Sequence, residues 1–136
     1  MTAPLASPAP RPDPVTLRSV RSFDVDDQAA SLAGWQQHYQ QMSPGNFEGH
    51  TIQARLSDDL CFLRESTNRR LVQRTAPPAG TFTFALVMSA GGEVRLNEQR
   101  MPADAVLGTP GDQELLVCVP EQAELAGMEV ACSQLE

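Results

Sequence analysis

Arg64 and Gln73 are the two side chains in this sequence whose chemistry most needs a partner. Residues 60–65 and 69–75 flank Ser66, Thr67 and Asn68, a short polar segment that suits a tight turn, and so read as a hairpin with Thr67-Asn68 as its loop. In that register Glu65 faces Arg70 across the strands as an exposed ion pair, and the opposite face carries Leu60, Phe62, Arg64, Leu71 and Gln73. A guanidinium turned into a small β-rich interior costs several kcal/mol unless something anionic or strongly polar meets it. That partner is either a bound small molecule or a structural group such as Glu65, Asp58, Asp59 or a main-chain carbonyl. Residues 81–88 set Phe82, Phe84, Leu86 and Met88 on one face and Thr81, Thr83, Ala85 and Val87 on the other, and the larger side chains are expected to point inward. Arg64 and Gln73 as polar anchors, with Phe62, Phe82, Phe84 and Met88 as an apolar wall, therefore make a candidate ligand site.

Other chemistries find little support. His38 and His50 stand far apart, with no H-x-H spacing and no convergent carboxylate, so neither a metal nor another cofactor is expected. G-x-S-x-G, Walker and G-x-G-x-x-G patterns are absent, and no residue is assigned a catalytic role. Cys61, Cys118 and Cys132 are odd in number and flanked by apolar residues, which reads as unpaired core thiols in a reducing compartment. The formal charge is −7 and all ten basic residues are arginines without a clustered stripe, so direct contact with nucleic acid is not expected. No apolar run is long enough to span a membrane, and a cytoplasmic location is expected.

The elements that must hold these residues begin after a proline-rich start. Residues 1–14 contain five prolines and almost no large apolar side chain, which reads as a disordered tail; residues 15–22 read as its arm-like continuation. Val25, Ala29, Leu32, Trp35, Tyr39 and Met42 recur at three- and four-residue steps and predict one amphipathic helix, N-capped by Asp24 and stopped by Ser43-Pro44-Gly45. The period then changes to two. Turn signals at Pro77-Pro78, Gly91-Gly92, Asn97, Pro102, Thr109-Pro110-Gly111 and Pro120 predict about seven or eight short strands of an antiparallel barrel or sandwich. Val117, Val119, Met128 and Val130 are expected on its core face.

The run W-Q-Q-x-Y-x-Q-x-x-P-G-x-F-x-G over residues 35–49, followed by Arg64-Glu65 and by Thr109-Pro110-Gly111 with Glu114-Leu115, resembles the amino-terminal half of AraC/XylS-type bacterial transcription regulators, in particular those of ethanolamine-utilisation operons. The likeness extends over roughly residues 23–131, with 35–49 its specific part. It implies a mainly β regulatory domain over 23–136, a cupin-like antiparallel barrel of jelly-roll type behind an amino-terminal helix. It further implies a small-molecule effector, a possible homodimer, and DNA contact only through a carboxy-terminal helix-turn-helix domain, for which 136 residues leave no room beside a sensor. Trp35 and Tyr39 would then belong to a helix that seals the barrel or signals to the DNA-reading half. A non-enzymatic sensor is the expectation. A metal-free isomerase or lyase on the same fold, and a dimerisation module without a ligand, are the alternatives.

Overall fold

A computed structural model describes residues 15–135; the tail expected over 1–14 lies outside the described residues. The chain forms β1 (Thr16–Ser22), a one-turn helix α1 (Val25–Ala29), β2 (Gln36–Gln41), β3 (Gly49–Ser57), β4 (Leu60–Thr67) and β5 (Leu71–Ala76). It continues through β6 (Thr81–Ala90), β7 (Arg95–Leu96), β8 (Gln99–Arg100), β9 (Leu107–Pro110), β10 (Leu115–Val119) and β11 (Ala123–Ala131) to a short 3-10 turn, Cys132–Gln134. The strands make two antiparallel sheets, ordered β1-β3-β4-β11-β6-β9 and β2-β5-β10-β7-β8, rather than one closed barrel. No helix among the described residues is long and apolar enough to cross a membrane.

The leading helix is far shorter than its spacing predicts. Asp24 caps it as expected, its carboxylate accepting from the main-chain N–H groups of Asp26 at 2.8 Å and Asp27 at 3.2 Å. The helical path ends at Ala30, and Gly34 takes a left-handed φ of +88° that redirects the backbone. Trp35 and Tyr39 therefore do not share a helix with Val25. Residues 36–41 pair in register with β5, from Gln36 opposite Ala76 to Gln41 opposite Leu71, and alternate exposed and buried as a strand must. Cross-strand pairing here outweighs the helix propensity of four glutamines. Residues 16–22, read as an arm, form edge strand β1 against β3.

The expected hairpin of residues 60–65 and 69–75 does not form. β4 is paired on both sides, with β3 and with β11, so it offers no edge to β5, which crosses to the other sheet between β2 and β10. The crossover is pinned by Asn68, whose amide donates to Asn46 O and whose side-chain oxygen accepts from Glu48 N, and by Arg69, which donates to Asn46 O. The small hairpin expected around Asn97 does form. β7 and β8 pair across Asn97 and Glu98, both at positive φ, as a tight two-residue turn requires.

The core lies between the sheets, built on Tyr39, Phe47, Leu71, Val87, Val94, Val117 and Val119, with Leu32, Cys61 and Leu63 in a second cluster beside it. Val117 and Val119 are buried in the core as expected, whereas Val130, though buried, lies opposite Phe82 on the outer side of its strand. Met128 likewise stands in line with Phe62 and Phe84 on the outer face of the six-stranded sheet. In β4 the inward residues are Cys61, Leu63, Glu65 and Thr67, and in β6 they include Thr83 and Val87, the opposite phase to that expected from the large side chains. Leu71→Ala, which empties a fully buried position, should cost about 2–5 kcal/mol. Phe62→Ala, at 44% exposure, should stay within roughly 1 kcal/mol. Urea melts of the two variants read this difference, and equal losses would contradict the facing of β4.

Candidate functional site

A cavity of about 110 Å³ lies between the sheets. Its walls are mainly apolar, with Leu63, Leu107, Leu115, Val117 and Leu125 among them, and its polar residues include Gln37, Tyr39, Glu65, Gln73 and Thr75. Glu65 is the central one. Strand alternation turns its carboxylate inward beside Leu63, and it is only 9% exposed. A carboxylate so placed has lost its water and must be met by donors. Three reach it: Gln28 Nε2 at 3.0 Å and the Tyr39 hydroxyl at 2.8 Å to Oε2, and Gln73 Nε2 at 3.2 Å to Oε1.

Each donor comes from a different element. Tyr39 on β2 and Gln73 on β5 stand directly opposite one another in register and reach across from the facing sheet. Gln28 comes from α1 and is completely buried, donating also to Thr51 Oγ1 at 2.8 Å. Ser31 fastens the end of that turn, its hydroxyl 2.6 Å from Gln28 O and 2.7 Å from Thr51 Oγ1. Such close seating needs Gly49, because a Cβ there would collide with Gln28 Oε1. The Tyr39 hydroxyl has one proton to give. It lies nearer Glu65 than Gln37 Oε1, at 3.1 Å, and Gln37 Oε1 is served by the Thr75 hydroxyl at 2.6 Å.

Burial raises the Glu65 carboxyl above its ordinary value, and the hydrogen bonds from Gln28, Tyr39 and Gln73 oppose that rise without cancelling it. Burial, together with the neighbouring Glu65 charge, holds the Tyr39 hydroxyl well above the usual phenol range, so Tyr39 remains a donor. A second buried carboxylate, Glu129 on β11, accepts from Trp35 Nε1 at 3.0 Å and pairs with Arg55 at 3.3 Å. Cys61 lies directly opposite Glu129 in register, and burial pushes its thiol up.

The candidate residues divide cleanly. Gln73 is inside, as expected, and bound to Glu65. Arg64 borders the cavity, but its side chain is half exposed and ion pairs with Glu124. The interior anchor is its neighbour Glu65, expected on the outer face. Phe62 and Met88 are exposed, and Phe82 and Phe84 are outward-phase residues whose rings pack 5.1 Å apart; none of the four lines the cavity. Trp35 and Tyr39 do line it, but from a loop and a strand. Of the histidines, His38 is exposed on β2, and His50 bonds the Ser19 hydroxyl at 2.7 Å. Gln28 and Thr83 were not singled out in the sequence, where an isolated glutamine or threonine has no distinguishing pattern.

No family model matches this chain.

The raised Glu65 carboxyl makes a signed prediction. A carboxylate whose folded value lies above its unfolded one binds protons more readily in the native state. Its contribution is therefore complete below the unfolded value and is lost as pH rises through the folded one. Denaturation at a series of pH values should show stability falling over that window, and Glu65→Gln should flatten the slope. Tyr39→Phe removes a hydrogen bond that lowers the carboxyl, so it should move the window further up and cost roughly 1–3 kcal/mol. An unchanged window in Tyr39→Phe would contradict the assigned proton direction.

Proposed function

We propose that this chain is an effector-sensing domain of the AraC/XylS regulator type, which binds a small molecule between its two sheets and passes the bound state to a separate helix-turn-helix module that reads DNA. The observation that carries this reading is the Glu65 carboxylate, buried against a cavity and gripped by α1, β2 and β5. A molecule contacting Glu65 changes the interaction that holds those three elements together, which is the differential contact a two-state sensor needs. The stretch that resembles the regulators supports the same reading by its placement. Trp35, Gln37 and Tyr39 line the cavity. Gln41 closes the following turn by donating to Ser43 O and Gly45 O, Phe47 is a core residue, and Gly49 admits Gln28.

Two antiparallel sheets face to face are compatible with a jelly-roll, cupin-like architecture, and we assign that architecture as part of the proposal. The reading is non-enzymatic. A thermal-shift screen across alcohols, amides, amines, acids and aromatics, followed by fluorescence of the single tryptophan, Trp35, should yield ligands that raise the melting temperature and alter the emission. Indifference across the whole library would overturn it.

A homodimer is favoured as a further property by one observation. The outer face of the six-stranded sheet carries Leu17, Ala54, Phe62, Met128 and Phe84 in one cross-strand row, with exposed Leu86 and Met88 beside it. A specific dimer through these faces would have to cover at least about 1,000 Å². Light scattering should show a dimer that Phe62→Glu converts to monomer; a monomer at all concentrations would remove this property and leave the sensing role untouched.

A further inference from the structure

The cavity is walled unevenly. The strands β4, β5, β6, β10 and β11 are each paired on both sides, and α1 and β2 are fastened through the Glu65 carboxylate. The β7-β8 hairpin is the exception. It brings Val94, Leu96 and Met101 to the cavity, yet β7 meets β10 over two residue pairs only, Leu96 with Val117 and Arg95 with Cys118. β8 is the outer edge of its sheet and pairs with β7 alone. The edge of the facing sheet is β9, and Met101 and Leu107, next to these two edges, both border the cavity. The hairpin therefore stands at the seam between the sheets.

Beyond its two residue pairs the hairpin is held by a short latch. Asn97 N–H donates to Leu116 O at 2.8 Å, and Asn97 Oδ1 accepts from Leu116 N–H at 2.9 Å. Its ion pairs stay within the segment, Glu93 with Arg95 and Arg100, and so tie it to nothing else. Gly91-Gly92 precedes it, and glycines absorb the change of backbone angles that a hinge demands. Burial of Val94, Leu96 and Met101 favours the closed position, while the few backbone bonds to β10 make this the least costly part of the wall to open.

We propose that the β7-β8 hairpin is the gate of the cavity: it swings off β10 about Gly91-Gly92, lifts Val94, Leu96 and Met101 from the wall, and lets a small molecule pass through the seam between β8 and β9. This rests on the sensing role proposed above and assigns the route into that same site.

The test pins the hairpin with a thiol the chain already has. Arg95 and Cys118 lie directly opposite one another, and such partners stand about 4.5–5.5 Å apart at Cα, within the reach of a disulfide. Arg95→Cys should join Cys118 under oxidation, whereas Arg95→Ser removes the same ion pair without pinning. Ala85→Cys, on the cavity wall, is placed in both full-length backgrounds as a reporter. Its modification by methyl methanethiosulfonate is followed by peptide-resolved mass spectrometry, with Cys61, buried and not part of that wall, reading global unfolding. Unpinned, the thiol at position 85 should react at least about tenfold faster than Cys61, and pinning should bring the ratio close to one. Asn97→Ala, which removes the side-chain half of the latch and requires no disulfide, should speed the reaction at position 85 severalfold. A rate at position 85 that neither pinning nor Asn97→Ala alters places the entrance elsewhere and overturns the gate. So does a ratio near one without pinning, because global unfolding alone then exposes the wall. Sensing stands under both results and is decided by the small-molecule library: a silent library removes the effector, while a reporter sensitive to pinning keeps the moving hairpin.

Discussion

The constraint on which this structure depends is that a carboxylate cannot sit between two sheets without donors. Glu65 is carried inward by the alternation of β4, and among the described residues no arginine meets it. Its stabilisation is divided among three neutral donors, from a one-turn helix and from two strands of the facing sheet. Of these elements α1 is a single turn and β2 is an edge strand, and neither would be strongly placed by its own propensity. A turn of five residues has almost no intrinsic helical stability, yet Gln28 anchors it because a buried carboxylate left short of a donor costs more than ordering that turn. The same requirement accounts for Gly49, where any side chain would collide with Gln28.

The inner faces are unusually polar for so small a domain. Thr51, Gln53, Thr67, Gln73, Thr75, Thr83 and Thr109 are all buried, where a tightly filled core would carry branched aliphatic residues. Thr51 bonds Gln28 and Ser31, Gln53 bonds the main chain of Ala33, Gln73 donates to Glu65 and Thr75 donates to Gln37. Threonines and glutamines fill less of the space between sheets than leucine and phenylalanine would, and their geometry is set by hydrogen bonds rather than by interdigitation. The result is an interior with a cavity inside it. The large apolar side chains that could have closed the cavity, Phe62, Phe82, Phe84, Leu86 and Met88, lie on the other side of the six-stranded sheet. That partition makes both proposed properties possible, because it leaves room within and an apolar surface without.

How much of this was legible in the sequence differs from element to element. The Asp24 cap, the Asn97 turn and the mainly β class followed from local signals that act within a few residues: a side chain reaching its own backbone, a turn needing positive φ, short segments bounded by proline and glycine. Gln73 was correctly placed inside. The long helix was not there, because Tyr39 lies both four residues after Trp35 and two after Gln37, so its position satisfies a helix and a strand alike. Gly34 was the one local sign that the helical reading had to stop.

The sequence by itself marked residues 60–65 and 81–88 as strands, whose successive side chains must point to opposite faces. It could not determine which half of each alternation faces the core. Period-two patterns are unchanged when a strand is turned over, and only the sheet that packs against it breaks the tie. The placement of large aromatics was a poor guide, because inner-face space was already allotted to a hydrogen-bonded network drawn from residues 28, 39 and 73. Tertiary structure alone therefore decided that a carboxylate, and not the guanidinium next to it, occupies the interior.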